Sequence, residues 1–471
     1  MEETHLRTHR QTVRLGVIKA AADLFPGCQL KTAYSIQGGD FCNLSGSIMS
    51  EREVAALAAR LDAWVAAGGP IRFLRHENGY FHYDVDGLVI KVLYPAEPSA
   101  ARVDPHRIVP YGGGFIVDYG EDGKVGPFIA PEKLASTFEK TQHWLRNVGL
   151  EQVGDVNAMI DAGRGGEMIG LAEALQEKEI ADIADLILLQ RRALRVLLIS
   201  GPSSSGKTSF AQRLAMQLRV NGLMPVPVSL DDFFVDRERT PRDTAGKPDF
   251  ESLEALDLAL LQQQVADLIA GRAVELPRFD FVEGRRRPDT RPLRLGPREI
   301  LVLEGIHALN PHLLPEINRG ACWRIYINAL FQLNIDLLNR VPTSEVRLVR
   351  RIVRGERFRG TPPGATIGQW PGVRRGEHTH VFRHQEEADV MFNSGMIYEL
   401  HALRPVAEEV LRKIPDGDAH APTRDRLLNL LGFFHPIDTA RVPQNSILRE
   451  FLGGSVYFES GGGFGGAELP H

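Results

Sequence analysis

The 471-residue chain has only three cysteines, Cys28, Cys42 and Cys322, and none forms a CxxC pair. Neither a zinc knuckle nor a disulfide framework is therefore indicated, and a reducing cytosol fits. No apolar run approaches the ~20 residues that span a bilayer. The first residues, MEETHLRTHRQ, are polar, unlike a secretory signal. We expect a soluble, cytoplasmic protein with no membrane partner. A charge of one sign is also lacking: 55 Lys and Arg face 60 Asp and Glu, a net charge of −5. That balance gives no global pull toward nucleic acid or anionic membrane. No tandem repeat is present.

What is there suffices for several cores. The length predicts roughly three domains at about 150 residues each, and 43% of residues are apolar. Residues 1–150 read as a smaller α+β domain. One helical pattern runs from Gln11 to Leu24, with Val13, Val17 and Leu24 on one face. A second starts at Ser50 with Glu53 three residues on, a capping box, and repeats Val54, Leu57, Leu61 and Trp64 before Gly68-Gly69-Pro70. FHYDV, GLVIKVLY and GGFIVDYG read as strands. Residues 151–194 read as a helical connector. Over 195–415 the short apolar runs RVLLIS, PVPVSL, EILVLEG and WRIYIN alternate with helical stretches. That alternation predicts an α/β domain, a mostly parallel sheet flanked by helices. One such helix has Ser252 as its expected cap, Leu253, Leu256, Leu260 and Leu268 on a face, and Gly271 at its end. Residues 416–471 form an extension whose tail, SGGGFGGAELPH, reads as disordered.

The strongest chemical signal is Gly201-Pro202-Ser203-Ser204-Ser205-Gly206-Lys207-Thr208, which fits G-x-x-x-x-G-K-[ST] in full. Its glycines let backbone N–H groups curl round an anion. The helix that begins there adds the positive end of its dipole. Lys207 can place a charge on the outer phosphates of ATP, and Thr208 a hydroxyl on Mg²⁺. The chain has no N-K-x-D guanine signature, as a switch GTPase would. The strand Ile300–Leu303 ends in Glu304-Gly305, unlike the aspartate ending of a mechanical ATPase. Glu304 thus sits at a strand's carboxyl end, where α/β sheets bind ligands.

The acceptor side is read from the residues after the loop. Asp231 and Asp232 come after the second strand, where a carboxylate suits a base that takes a hydroxyl proton. Asp231 is the choice and Asp232 its competitor. Glu251, in Pro248-Asp249-Phe250-Glu251-Ser252, can accept from sugar hydroxyls or can serve as a first-turn acid. In Arg278-Phe279-Asp280-Phe281, aromatics flank an acid, a flat surface beside a hydroxyl acceptor or else core packing. A basic run comes next: Arg340, Arg347, Arg350, Arg351, Arg354, Arg357 and Arg359. Of these, 347, 350, 351 and 354 share a helix face and could close over phosphates as a lid. Arg285-Arg286-Arg287 reads instead as a solvated or RNA-facing patch.

In this order, phosphate loop, DDFF, PDFES, RFDF, LEGIH and arginine helix, the stretch from about residue 190 to 415 resembles the uridine kinase and phosphoribulokinase family of P-loop kinases. The resemblance implies ATP binding by Gly201, Ser203, Ser204, Ser205, Gly206, Lys207, Thr208 and Ser209. It implies catalysis by Asp231, Lys207 and Arg354, and a metal site of Thr208, Asp231 and Glu304. Substrate contacts would come from Asp231, Glu251, Phe279, Asp280 and Arg351, and a lid from Arg354, Arg357 and Arg359. The runs Phe331–Asp336 and Glu386–Ser394 are typical of a bacterial nucleoside kinase subgroup. Departures cluster on the acceptor side. Phe234 and Phe279 stand where tyrosines are frequent, Gly284 where a base-contacting histidine is expected, and Glu251 where an aspartate is usual.

LFPGCQLKTAYSIQGGDFCNL, with a long helix after it, resembles the second additional domain of threonyl-tRNA synthetases. That domain edits mischarged tRNA with two histidines four apart on a helix, then Cys-x-x-x-His. Anchored on Phe25-Pro26, the histidine positions fall on Gln11 and Leu15, while His5 and His9 have the spacing but lie earlier. Matching His106 to the last histidine puts Arg102 in place of the cysteine. The resemblance implies a binding or regulatory module that has lost its editing chemistry.

The expected function is a kinase that moves the γ-phosphate of ATP, with Mg²⁺, to the 5′-hydroxyl of a nucleoside. The alternatives are an ATP-regulated RNA-binding protein and a kinase of a non-nucleoside sugar. Expected partners are a small hydroxyl acceptor, RNA through the N-terminal domain, and a second copy of the chain as a homo-oligomer.

Overall fold

A computed structural model describes residues 2–36, 38–120, 125–242, 246, 248–280 and 283–457, except for the side chains of residues 2–4 and 102. The glycine-rich tail and Phe281 lie outside the described residues, as does the Arg102 side chain. The chain divides into two compact units, both discontinuous in sequence. The first is Met1–Arg164, Phe331–Val346 and Leu411–Ile437; the second is Gly165–Leu330, Arg347–Val410 and Asp438–His471.

In the first unit, a four-stranded antiparallel sheet runs in the order Leu30–Ile36, Gly39–Leu44, Gly114–Asp118, Arg107–Tyr111. A three-stranded antiparallel meander is made by Ile71–Glu77, Tyr80–Val85 and Leu88–Val92. Helices Glu2–Leu24 and Glu51–Ala66 share a core with both sheets, built on Val13, Leu15, Val17, Leu57, Leu61, Trp64, Val85, Phe115 and Val117. The predicted capping box forms: Glu53 Oε2 accepts from Ser50 N at 2.8 Å, and Ser50 Oγ accepts from Glu53 N at 3.3 Å. The first helix begins nine residues before the predicted Gln11. Its early turns carry no apolar stripe for a sequence reading to find. They are held by polar burial instead, with Arg7 paired to the fully buried Glu345 and His9 itself buried.

The second unit is the predicted α/β layer structure. Its main sheet has five strands, all parallel, in the order Val390–Asn393, Cys322–Asn328, Val196–Ser200, Glu299–Glu304, Met224–Ser229. Strand side chains alternate between two cores. Val196, Leu198, Leu301 and Leu303 pack with Leu261, Val265 and Leu268 of helix Leu258–Ile269. Leu197, Ile199, Ile300 and Val302 pack with Ile183 and Ile187 of helix Gly165–Leu189, and with Phe210 and Leu214 of helix Lys207–Val220. Both sheet faces are thereby buried, which is why these strands read as unbroken apolar runs.

Three segments fall differently from their linear reading. The 151–194 stretch divides, and its long helix lines the second unit's core. Residues 331–346, inside the span read as 195–415, group with the first unit, as do 411–437. The Ser252-capped helix starts later: Leu253–Ala255 is one 3₁₀ turn, and Asp257 caps Leu258–Ile269 by accepting from Leu260 N at 3.1 Å. Asp257 is the better cap because its carboxylate reaches that N–H, and Gly271 (φ +73°) closes the far end as expected. Among the described residues, no helix is long and apolar enough to cross a membrane.

Candidate functional site

The phosphate loop joins the central strand Val196–Ser200 to helix Lys207–Val220. Its backbone turns sharply, with Ser204 at φ +59° and Gly206 at φ +79°. A Cβ on Gly201 would lie 2.0 Å from the Ile327 carbonyl oxygen, and one on Gly206 2.6 Å from Ile447 Cγ2. Both positions therefore require glycine. The first N–H groups of the helix have no intrahelical acceptor and point into the loop, which is the geometry of an anion cradle. Lys207 Nζ donates to the carbonyls of Gly201 and Pro202 at 2.9 and 3.1 Å. Burial lowers the Lys207 pKa, while Glu304 and Asp231 hold it up. Thr208 Oγ1 donates to Glu304 Oε1 at 3.3 Å. Burial pushes the Glu304 carboxyl up to about 7 against the pull of Lys207. A hydroxyl, a carboxylate and a lysine thus converge at the strand ends, a donor set that fits Mg²⁺ beside a polyphosphate.

Asp231 and Asp232 separate in the fold. Asp231 sits at the solvent mouth of the cleft, its N–H donating to Ser229 Oγ at 3.3 Å. Surrounding protein raises its pKa, and Lys207, Arg359 and Arg354 pull it back. Asp232 Oδ1 instead accepts from Phe279 N at 3.4 Å, and its cationic neighbours are Arg291 and Arg278. The fold therefore brings Asp231, not Asp232, to the phosphate loop. Glu251 also joins the cluster: burial and Glu377 raise its carboxyl to about 7, against the positive charges of Arg351 and Lys207.

Phe279 and Asp280 form a two-residue strand paired with Arg285–Arg286. The Phe279 ring lies 5.8 Å from that of Phe234 but is tilted 52° to it, so the two rings do not form one flat surface. Asp280 Oδ1 accepts from Glu283 N at 2.9 Å, so the carboxylate holds its own hairpin turn. Gly284 closes that turn at φ +70°, and a Cβ there would lie 2.6 Å from the Arg237 guanidinium. A side chain at this position would be strained by the left-handed backbone and would have to displace Arg237.

The arginine helix is Thr343–Phe358. Arg347 Nε donates to Ser203 O at 2.9 Å, Arg350 Nη1 to Ser204 O at 3.3 Å, and Arg354 Nη2 to Ser204 Oγ at 3.2 Å. Arg351 bonds Ser203 Oγ. Arg347, Arg350 and Arg354 are buried, paired respectively with Glu377, Glu399 and Glu450. They form a fixed frame under the loop, because a buried guanidinium held by a carboxylate and a loop oxygen cannot swing out without losing both. Arg354, expected in the lid, belongs to this frame. Arg357 donates to Leu452 O at 2.9 Å, while Arg359 is exposed, and the neighbouring positive charge of Arg354 is the first cause that lowers its pKa, to about 9. Arg340 lies in the other unit, bonded to Ser35 and Thr343. The triplet 285–287 is neutralised, with Arg285, Arg286 and Arg287 paired to Glu283, Asp257 and Asp289.

Sequence reasoning missed Glu377, Glu399, Glu450 and Ser394. Glu377 Oε1 accepts from Ser203 N at 2.8 Å, and Ser394 Oγ bonds Ser205 O. Lone acids without motif spacing carry no sequence signal; only burial marks them. In the first unit, Gln11 and Leu15 are buried. His5 and His9 instead meet Asp104, with ligand-type atoms within 4.8 Å of one another. His9 Nδ1 accepts from Asp104 N at 3.2 Å.

The family described as "Phosphoribulokinase / Uridine kinase family" matches residues 196–400. A uridine kinase of Chloroflexus aggregans is 30% identical over 198 residues, 42% of this chain and 85% of that protein. A uridine kinase of Schizosaccharomyces pombe is 32% identical over 196 residues, 41% of this chain but 39% of its own length. A solved structure titled as a possible uridine kinase from Bacillus stearothermophilus is 22% identical. It covers 46% of this chain and 100% of that one, at a TM-score of 0.30.

Proposed function

This chain belongs to the phosphoribulokinase and uridine kinase family, and from that premise we propose that it is an ATP-dependent nucleoside kinase acting on the 5′-hydroxyl of a uridine-like nucleoside. The observation that carries the reading is the convergence of Asp231, Lys207 and the Thr208–Glu304 pair on one phosphate loop. The loop N–H groups and Lys207 hold the ATP phosphates. Asp231 takes the proton of the acceptor hydroxyl. The acceptor oxygen then forms its bond to the γ-phosphorus as the bond from that phosphorus to the β,γ-bridging oxygen breaks, and ADP leaves with the electron pair. Mg²⁺, held through Thr208 and Glu304 and reached by Asp231, would neutralise charge developing on the phosphates. Glu251 and Arg351 face the acceptor, and Arg359 is the exposed cation beside Asp231.

A second reading, a kinase of a non-nucleoside sugar, shares these steps. It is favoured by the Gly284 turn, which offers no side chain to a base. Incubation of nucleoside and sugar panels with ATP-Mg²⁺, read by mass spectrometry, tests both. Phosphate gain by uridine or cytidine supports the first reading, and gain by sugars alone the second. A panel in which no acceptor gains 80 Da (the mass of HPO₃, roughly, as phosphoryl transfer requires) refutes both.

A further inference from the structure

The segment that matches the kinase family ends at residue 400, yet the phosphate loop leans on residues well beyond it. Helix Arg449–Leu452 and the turn before it belong to the same unit as the loop. Ile447 is fully buried and meets the loop at Gly206, where its methyl occupies the space a Cβ would need. Glu450 is buried and holds two partners with its two oxygens. Its Oε2 accepts from Ser209 Oγ at 2.9 Å, and its Oε1 accepts from Arg354 Nη1. Ser209 is one residue past Thr208, in the first turn of the phosphate-loop helix. Arg354 in turn donates to Ser204 Oγ in the loop itself. Phe451, fully buried, lies under the guanidinium groups of Arg350 and Arg354, 5.1 and 5.8 Å from its ring centroid.

We infer that Glu450 is a positioning residue for ATP, and that residues 446–452 are the back wall of the phosphate site. One carboxylate ties the start of the loop helix to the arginine frame. It thereby sets where Lys207, Thr208 and the loop N–H groups stand relative to one another. Displacements of about 1 Å at such groups are enough to cost roughly 10²-fold in rate. The charge is needed as well as the shape. Without it, Arg354 keeps its positive charge in a buried site beside two neutral groups, the Ser204 hydroxyl and the Phe451 ring.

The inference rests on the phosphate-loop reading and not on the identity of the acceptor, so it is tested by ATP binding with no acceptor present. The full-length chain is compared with Glu450→Gln, which keeps the shape and removes the charge. Glu450→Asp, which keeps the charge and shortens the reach, is the conservative rescue. Titration calorimetry with ATP-Mg²⁺ and a melting curve are recorded for each. The expected order of affinity is wild type, then Asp, then Gln. Gln is expected to be weakened about tenfold or more, the loss of one charge-dependent contact of roughly 1.4 kcal/mol. Where acceptor turnover is available, kcat and the KM for ATP change while the KM for the acceptor stays within about twofold. A folded Glu450→Gln protein that binds ATP within about twofold of wild type overturns the inference. So does a loss of affinity that merely tracks the melting temperature across the three proteins, or a wild-type chain that binds no ATP. If Gln does not fold, the Asp protein against wild type decides by the same criteria. A failed acceptor screen with the affinity order intact rejects the kinase reading and leaves this inference standing.

Discussion

Replacing Arg347 with Met removes one charge from the frame beneath the phosphate loop. Arg347 and Glu377 are about 1% and 0% exposed at their side chains, so the pair is shielded from water on all sides. In the wild type, Glu377 also accepts from Ser203 N at 2.8 Å and from Arg374 at 3.0 Å. Breaking a buried pair by removing one partner costs about 3–5 kcal/mol, because the other charge stays buried. The loss of the Arg347 bond to Ser203 O adds about 1 kcal/mol, and Arg374 returns part of the total. The net loss is roughly 3–4 kcal/mol, a fall in midpoint of about 6–16 °C for a unit of this size.

A pH signature accompanies that fall. Burial pushes the Glu377 carboxyl up, but Arg347, Arg374 and the Ser203 N–H pull it further down, to a net value below the ordinary 4.5. A depressed carboxyl contributes stability above its unfolded pKa and loses it as pH falls through the folded value. The deficit of the Arg347→Met protein relative to wild type should therefore narrow as pH is lowered below 4.5, where the wild type loses this contribution. Urea denaturation at several pH values measures this. The double variant Arg347→Met/Glu377→Met should be less impaired than Arg347→Met alone, since it leaves no stranded carboxylate. A single variant within 1 kcal/mol of wild type at pH 7 (, about the size of an ordinary surface substitution) would refute the frame as an energetic unit.

Asp231→Asn should lower kcat by about 10²–10⁴-fold, because the proton acceptor is removed; near-wild-type turnover in steady-state assays moves the base elsewhere. Glu304 is raised to about 7, largely by burial, so its ionised form, and with it the affinity for Mg²⁺ read by titration, should grow as pH rises through about 7. The same raised value means that Glu304 favours folding below its unfolded pKa and that this contribution is lost as pH rises through about 7. Glu304→Gln should flatten that part of the stability profile, and an unchanged slope in melting scans from about pH 5 to 8 contradicts the assignment. Gly206→Ala forces a Cβ to φ +79° and to 2.6 Å from Ile447; ATP binding by calorimetry should fall below detection while Gly222→Ala, at an open turn with φ +77°, leaves it intact.

Much of the second unit was legible in the sequence. Its strands are buried on both faces, so their apolar runs stand out, and the phosphate loop's glycines are demanded by contacts that only glycine permits. Glu304 was legible for the same reason, as an acid at the end of such a run. The arginine helix was legible as a charged face but not as a frame. Its spacing shows that 347, 350, 351 and 354 point one way; it cannot show that the facing surface is the underside of the loop with three acids waiting. Those acids come from residues 377, 399 and 450, far apart in sequence. The first helix was under-read because its opening turns are polar and are stabilised by Glu345, a partner distant in sequence.

The sequence by itself determined the chemistry available: a phosphate cradle, a lysine, a metal-side hydroxyl and acids at strand ends, because each depends on local backbone form and residue type. Only the tertiary structure decided which of two adjacent aspartates faces the loop. It also decided that Arg347, Arg350 and Arg354 are buried anchors, and that residues past 437 pack against the loop and its helix. Those outcomes depend on burial and charge pairing between distant segments, and local spacing carries no information about either.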